Sequence, residues 1–274
     1  MSSLISFVKR IRDIMWNDAG VNGDAQRIEQ MAWILFLKVY NTKEEEWEYT
    51  DRPYTSIIPE ECRWNNWAAD DKSGKAMTGD TLLDFVNNKL FPTLKRLNVT
   101  AATPIKKAIV KTTFEDANNY MKDGVLLRQV INIIDDLDLD DYDESHAFGE
   151  IYESILRELQ NAGSSGEFYT PRAVTDFMAK AIKPKLGEKV ADFACGTGGF
   201  LTSWLNELSK QVVTAEDQQE YATSIYGIEK KPFPYTLCIT NMLLHGIDVP
   251  MVYHDNSLLR DVLDYTEEDQ FDVI

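Results

Sequence analysis

One stretch constrains this chain more than any other: Val190-Ala191-Asp192-Phe193-Ala194-Cys195-Gly196-Thr197-Gly198-Gly199-Phe200. A short apolar run, expected as a buried strand over 189–194, passes into a glycine-rich turn and then into a helical pattern over 199–209. Glycines let the backbone turn tightly and approach a ligand closely. The same rhythm continues on both sides. Helices are predicted over 172–183 and 233–244, strands over 224–228 and 250–253, and Phe271-Asp272-Val273-Ile274 opens another apolar strand. Strands separated by helices pair in parallel through crossovers. The last strand is expected beside the one that feeds the glycine turn.

The first 160 or so residues follow a helical period instead. Ile28, Met31, Ala32, Leu35, Phe36 and Val39 mark one buried face of a helix over 24–47, with Asp24 as a plausible N-cap. Leu82, Leu83, Val86, Leu90 and Leu94 mark another over 80–97, with a kink or break expected at Pro92. Leu126, Leu127, Val130, Ile133, Ile134 and Leu137 mark a third over 123–137. Residues 50–79 are expected to be irregular connections. Helix following helix predicts a bundle. A further amphipathic helix is expected over 147–161, and Gly163-Ser164-Ser165-Gly166 breaks the pattern. The predicted division is therefore 1–162 helical and 163–274 α/β, an α + α/β chain.

Between Asp135 and Glu144 seven of ten residues are acidic. A calcium loop starting at Asp136 fails, because it needs Gly where Asp141 stands and an acid where Ala147 stands. A solvated helix end or connector is the simpler expectation. The whole chain of 274 residues carries a net charge of −17, which argues against a free-standing nucleic-acid binder. Residues 1–162 contribute −9 and residues 163–274 contribute −8, so neither half hides a basic domain. Cys62, Cys195 and Cys238 are too few and scattered for a disulfide framework or a zinc site, which points to a reducing compartment. No signal peptide or long apolar span is legible. A cytoplasmic chain with no membrane association is expected.

Two nucleotide-binding patterns compete at the glycine turn. A dinucleotide fingerprint needs glycine at position 201, which is Leu201. An acid four residues before the first Gly of a G-x-G, here Asp192 before Gly196, is the pattern of adenosylmethionine-dependent methyltransferases. A cationic sulfonium ligand with an amino-acid tail suits a glycine loop beside carboxylates. Tyr226-Gly227-Ile228-Glu229 then puts an acid at the tip of the next strand, where an ionised carboxylate accepts from both ribose hydroxyls. In Gly166-Glu167-Phe168-Tyr169-Thr170-Pro171-Arg172, Thr170 reads as an N-cap and Pro171 as the first helical residue.

These motifs, together with Asn241-Met242-Leu243-Leu244-His245-Gly246-Ile247, resemble the modification subunit, an adenine-N6 DNA methyltransferase, of type I restriction-modification systems. Asp24-Ala25-Gln26-Arg27-Ile28-Glu29-Gln30-Met31 and Trp33-Ile34-Leu35-Phe36-Leu37-Lys38 are similar to that family's N-terminal helical domain. The resemblance implies a Rossmann-like (class I) methyltransferase domain that uses S-adenosylmethionine. It implies that Glu167, Phe168, Tyr169, Thr170, Pro171 and Arg172, with Thr197, Gly198 and Gly199, face the methionine moiety and ribose. Glu229 would hold the ribose hydroxyls, and Asp192 would sit near the cofactor's amino group. Asn256, with Asp255 in reserve, would read the adenine. Ala194, Gly196 and Phe200 complete the implied cofactor set. His245 and His254 are expected to be structural. The implied partners are a specificity subunit, a restriction subunit, a second copy of the methyltransferase subunit, and duplex DNA.

The family's Asn-Pro-Pro-aromatic motif, which accepts the N6 protons and stacks on a flipped base, is absent. None of the nine prolines follows Asn, Asp or Ser. It would follow Phe271-Asp272-Val273-Ile274 directly. The expectation is an N-terminal portion of a longer subunit, its α/β domain incomplete and inactive alone. The competing expectation is a helical assembly module with a vestigial nucleotide-binding half. A Gly198→Asp change is expected to abolish cofactor binding by filling ligand space.

Overall fold

The computed structural model describes residues 2–70, 74, 76–137, 139, 152 and 170–274. The chain divides into two compact units, Met1–Glu167 and Phe168–Ile274. Among the described residues no helix is long and apolar enough to cross a membrane.

The first unit is helical: α1 Ser2–Trp16, α2 Gly23–Thr50, α3 Trp64–Trp67, α4 Gly79–Asp84, α5 Phe91–Lys95, α6 Ile105–Glu115 and α7 Gly124–Asp135. Helix α2 buries Met31, Trp33, Ile34, Leu35, Phe36 and Leu37 in succession. A helix buried all round is a core helix rather than a surface one. Trp33 meets Phe91 edge-on at 5.0 Å, and Phe91 meets Phe114 at 5.2 Å, so α2, α5 and α6 share one aromatic core.

Several local expectations change. The cap position of α2 is Asn22, and Asp24 lies in the first turn. The Asp24 carboxylate instead pairs with Arg12 at 3.1 Å and Arg27 at 2.8 Å. The predicted helix over 80–97 runs as α4, a wide π-helical segment Phe85–Leu90, and α5. Pro92 falls in the opening turn of α5, next to the π segment. Asp123 caps α7 by accepting from the amides of Val125 and Leu126. Of the acidic run, residues 138 and 140–144 lie outside the described residues, and Asp135 at its start is engaged by the fold. Its carboxylate accepts from Trp64 Nε1 at 2.7 Å and the Asp70 amide at 3.1 Å. Helices α1, α3 and α6 are not predicted from the apolar periodicity. The expected helix over 147–161 and the expected break at Gly163–Gly166 lie outside the described residues.

The second unit holds α8 Arg172–Ile182, β1 Val190–Asp192, α9 Gly199–Leu208, α10 Ala215–Ala222, β2 Ile225–Glu229, α11 Pro232–Leu244 and β3 Val252–His254. The strands are parallel in the order β1-β2-β3, with Val190 opposite Ile225 and Gly227 opposite Val252. Val273 bridges Val190 in parallel on the other edge of β1, and the Ala191 amide donates to the Val273 carbonyl at 2.9 Å. The strand that feeds the glycine turn is therefore internal, as its apolar sequence requires. Helix α8 starts at Arg172, as the pattern over 172–183 predicts, but the expected cap at Thr170 with Pro171 as the first helical residue shifts by one. Pro171 has φ −56° and ψ 138°, so it occupies the cap position, and Arg172 is the first helical residue. Helix α10 was not expected. Its start carries a full capping box, in which the Thr214 side chain accepts from the Asp217 amide and Asp217 accepts from the Thr214 amide.

Candidate functional site

Strand order brings the carboxyl ends of β1, β2 and β3 side by side, the place where open parallel sheets bind ligands. The loop after β1 is pinned twice to β2. The Cys195 amide donates to the Ile228 carbonyl at 3.0 Å, and the Gly196 amide donates to Glu229 Oε2 at 2.8 Å. Glu229 Oε1 accepts from the Lys231 amide at 2.7 Å. The carboxylate is thus held in one orientation by two backbone amides. Each oxygen keeps a further acceptor direction, since an ionised carboxylate offers about four.

Asp192 ends β1, and its Oδ1 accepts from the Ala194 amide at 3.1 Å. Burial pushes its carboxyl above the usual range, and the neighbouring Glu229 charge adds to the rise. Two acids therefore converge on the glycine turn, which favours a cationic ligand group.

The turn itself needs glycine for two reasons. Gly196 and Gly198 have φ of 55° and 80°, the left-handed region. A Cβ on Gly198 would lie 2.8 Å from Cys238 Sγ and 3.1 Å from Met242 Cε. That space belongs to α11, so the ligand-space reason expected for Gly198→Asp is replaced by a packing one. Thr197 is buried, and its carbonyl lies 3.5 Å from the buried Asn241 Nδ2. Cys195 Sγ lies 3.9 Å from Cys238 Sγ, and this buried neighbour raises the Cys195 thiol. Phe200 is half-buried in the first turn of α9.

Arg172 does not stand alone at the head of α8. Its Nη1 donates to the Gly199 carbonyl at 2.5 Å and to the Thr202 hydroxyl. Thr170 and Pro171 are exposed just before it. Glu167, Phe168 and Tyr169 lie outside the described residues. At the tip of β3, the Asp255 amide donates to the Glu229 carbonyl at 3.1 Å, which seats Asp255 beside the ribose acid's strand. Asn256 Oδ1 accepts from the Leu258 amide at 3.2 Å, a local turn. His254 stacks on Tyr235 at 5.2 Å with Nε2 2.9 Å from the Lys230 carbonyl, and His245 Nδ1 lies 2.8 Å from the Asn241 carbonyl. Both rings have structural contacts.

Sequence reasoning missed the polar seam between α8 and α9. Ser203 Oγ donates to Asp176 Oδ1 at 2.7 Å and lies 2.8 Å from Thr175 Oγ1. The only signal for it was polar residues spaced three and four apart on two helices.

A parallel sheet with a glycine turn after its first strand and an acid closing its second defines a Rossmann-like domain of the methyltransferase type. Comparison with known proteins narrows the class. Residues 143–274 match the family described as N-6 DNA Methylase, and residues 4–134 match the HsdM N-terminal domain. The EcoEI type I restriction enzyme methylase subunit of Escherichia coli is 51% identical over 274 residues. That match covers 99% of this chain and 55% of the relative. A solved modification subunit of a type I restriction enzyme from Vibrio vulnificus YJ016 superposes with a TM-score of 0.81 at 35% identity, covering 99% of this chain and 59% of that one. A chain from a solved structure on complex assembly of a type I R-M system gives 0.86 at 35% identity, covering 99% and 54%. The chain belongs to the methylase-subunit family of type I restriction enzymes. It spans about half the length of the relatives it matches most fully.

Proposed function

We propose that this chain supplies the cofactor-binding part of a type I modification subunit, the partner-binding helical domain (1–162) being followed by the first part of a methyltransferase domain (163–274). The supporting observation is the Glu229 carboxylate, fixed by the Gly196 and Lys231 amides at the edge of the glycine turn. S-adenosylmethionine fits this donor and acceptor set. Its ribose hydroxyls suit the two oriented oxygens of Glu229, and its ammonium suits Asp192. When bound, the cofactor supplies an electrophilic methyl group. In the complete enzyme the acceptor is adenine N6 in duplex DNA.

Thr197, Gly198 and Gly199 shape the turn around the methionine moiety, with Ala194, Gly196 and Phe200 beside it. Glu167, Phe168, Tyr169, Thr170, Pro171 and Arg172 belong to the same site by family resemblance. Asp255 and Asn256 take the adenine side. The Asn256 oxygen is turned onto its own loop, which leaves the amide group as the part of that side chain suited to an adenine acceptor. The partners are a specificity subunit, a restriction subunit, a second methyltransferase subunit and DNA, all in the cytoplasm.

Calorimetry with S-adenosylmethionine tests the cofactor claim. Binding is expected in the wild-type chain, with loss in Glu229→Ala. A folded wild-type chain that gives no heat at millimolar cofactor removes the claim. Pull-down with a specificity subunit tests the helical half, and a chain that ignores that subunit counts against its assembly role.

A further inference from the structure

Helix α8 is amphipathic, yet it turns its polar side inward. Val174, Phe177, Met178 and Ile182 are exposed, Phe177 by 70%. The side packed on α9 carries Arg172, Thr175, Asp176 and Ala179. Little apolar surface holds the two helices together, so their register is set by directional hydrogen bonds. Ser203 is the centre of that seam. It is buried to 1% exposure and donates to Asp176 at 2.7 Å. A buried hydroxyl bonded to a carboxylate is strong and intolerant of loss.

Ser203 stands one turn into α9, the helix that begins at Gly199 of the glycine turn. Asp176 stands one turn into α8, the helix that begins directly after Thr170 and Pro171. We propose that Ser203, through Asp176, is a positioning residue for the cofactor site. The bond locks α8 onto the helix that closes the glycine turn, and so holds Thr170 and Pro171 in register with that turn. Neither side chain touches the cofactor. This role rests on the cofactor reading given above.

The test compares wild type with Ser203→Ala, Asp176→Ala, Asp176→Asn and the Ser203→Ala/Asp176→Ala pair. Cofactor affinity is measured by calorimetry and fold integrity by thermal melting, on the 274-residue chain. Each alanine variant is expected to weaken S-adenosylmethionine binding about tenfold, the equivalent of one hydrogen bond to a charged acceptor. The pair is expected to be no weaker than either single variant. Asp176→Asn keeps an oxygen that accepts from Ser203 and is expected to bind as wild type does. Hydrogen exchange is expected to quicken over 173–182 in Ser203→Ala, while 225–244 keeps its protection. Should Ser203→Ala melt early, the half-buried Asp176→Ala carries the same comparison. Undiminished affinity in both alanine variants overturns the proposal, as does an Asp176→Asn loss equal to that of Asp176→Ala. A wild-type chain that binds no cofactor overturns the site reading itself, and with it the role of Ser203.

Discussion

Glu229 shows how one side chain can tie two segments of the fold together. Its carboxylate ties β2 to the glycine turn through the Gly196 amide. Glu229→Gln keeps one acceptor oxygen and so is expected to retain the fold while weakening cofactor binding, by calorimetry, more than tenfold. Asp192 sits beside it with a raised carboxyl. Only the ionised form attracts a ligand ammonium, so cofactor affinity is expected to climb as pH rises through that raised value. Asp192→Asn should flatten the profile, and an unchanged slope in that variant rejects the assignment. Gly198→Ala is expected to lower stability by roughly 1–3 kcal/mol, because the left-handed backbone and the Cys238 and Met242 contacts both resist a Cβ. A thermal melt without ligand reads this directly. Glu44 titrates for a different reason. It is buried on α2 and accepts from Tyr54 and Ser56 at 2.8 and 2.9 Å, but burial outweighs these bonds and raises its carboxyl. A raised carboxyl favours the folded state below the ordinary value of 4.5 and loses that contribution as pH climbs through the folded value. Melts from pH 4 upward, on about that scale, should show wild type losing ground steadily to Glu44→Gln.

At the scale of elements, the two units are held by different forces. The helical unit rests on apolar packing around α2, and Phe114, fully buried between Trp33, Phe36 and Phe91, is a keystone. Phe114→Ala is expected to destabilise that unit by about 3–5 kcal/mol in denaturant melts. Helix α10 rests on its capping box, because only Tyr221 is buried within it. Thr214→Ala is expected to cost about 1 kcal/mol, seen as faster hydrogen exchange over 215–222. This helix was legible: Thr214 three residues before Asp217 is a helix-start signature, but the helix offers no apolar stripe to draw attention to it. Trp64–Trp67 and Ile105–Glu115 were harder, since their burial is shared with distant segments. Arg128 illustrates the point, donating to the carbonyls of Trp67, Ala68 and Met77 some 50 to 60 residues away.

At the scale of the whole molecule, the acidity is spread over both halves, −9 over 1–162 and −8 over 163–274. This chain is then expected to bind duplex DNA weakly by itself. With no Asn-Pro-Pro-aromatic motif in the sequence, the 274-residue chain is expected to transfer no methyl group, even with a specificity subunit present. Labelled cofactor and unmethylated duplex check this, and sustained incorporation into DNA contradicts it.

The sequence by itself determined the class of each half, the glycine turn, the acids at 192 and 229, and a final strand expected next to β1. These depend on neighbours within a turn or two, where period and residue type are enough. Tertiary structure alone decided what those residues touch. It brought Gly196 to Glu229 across 33 positions, Ser203 to Asp176 across 27, and Gly198 against Cys238. It also turned the apolar side of α8 outward, against the ordinary expectation for an amphipathic helix. Such contacts arise from strand order and helix packing, and local propensity carries no record of which distant side chain will arrive.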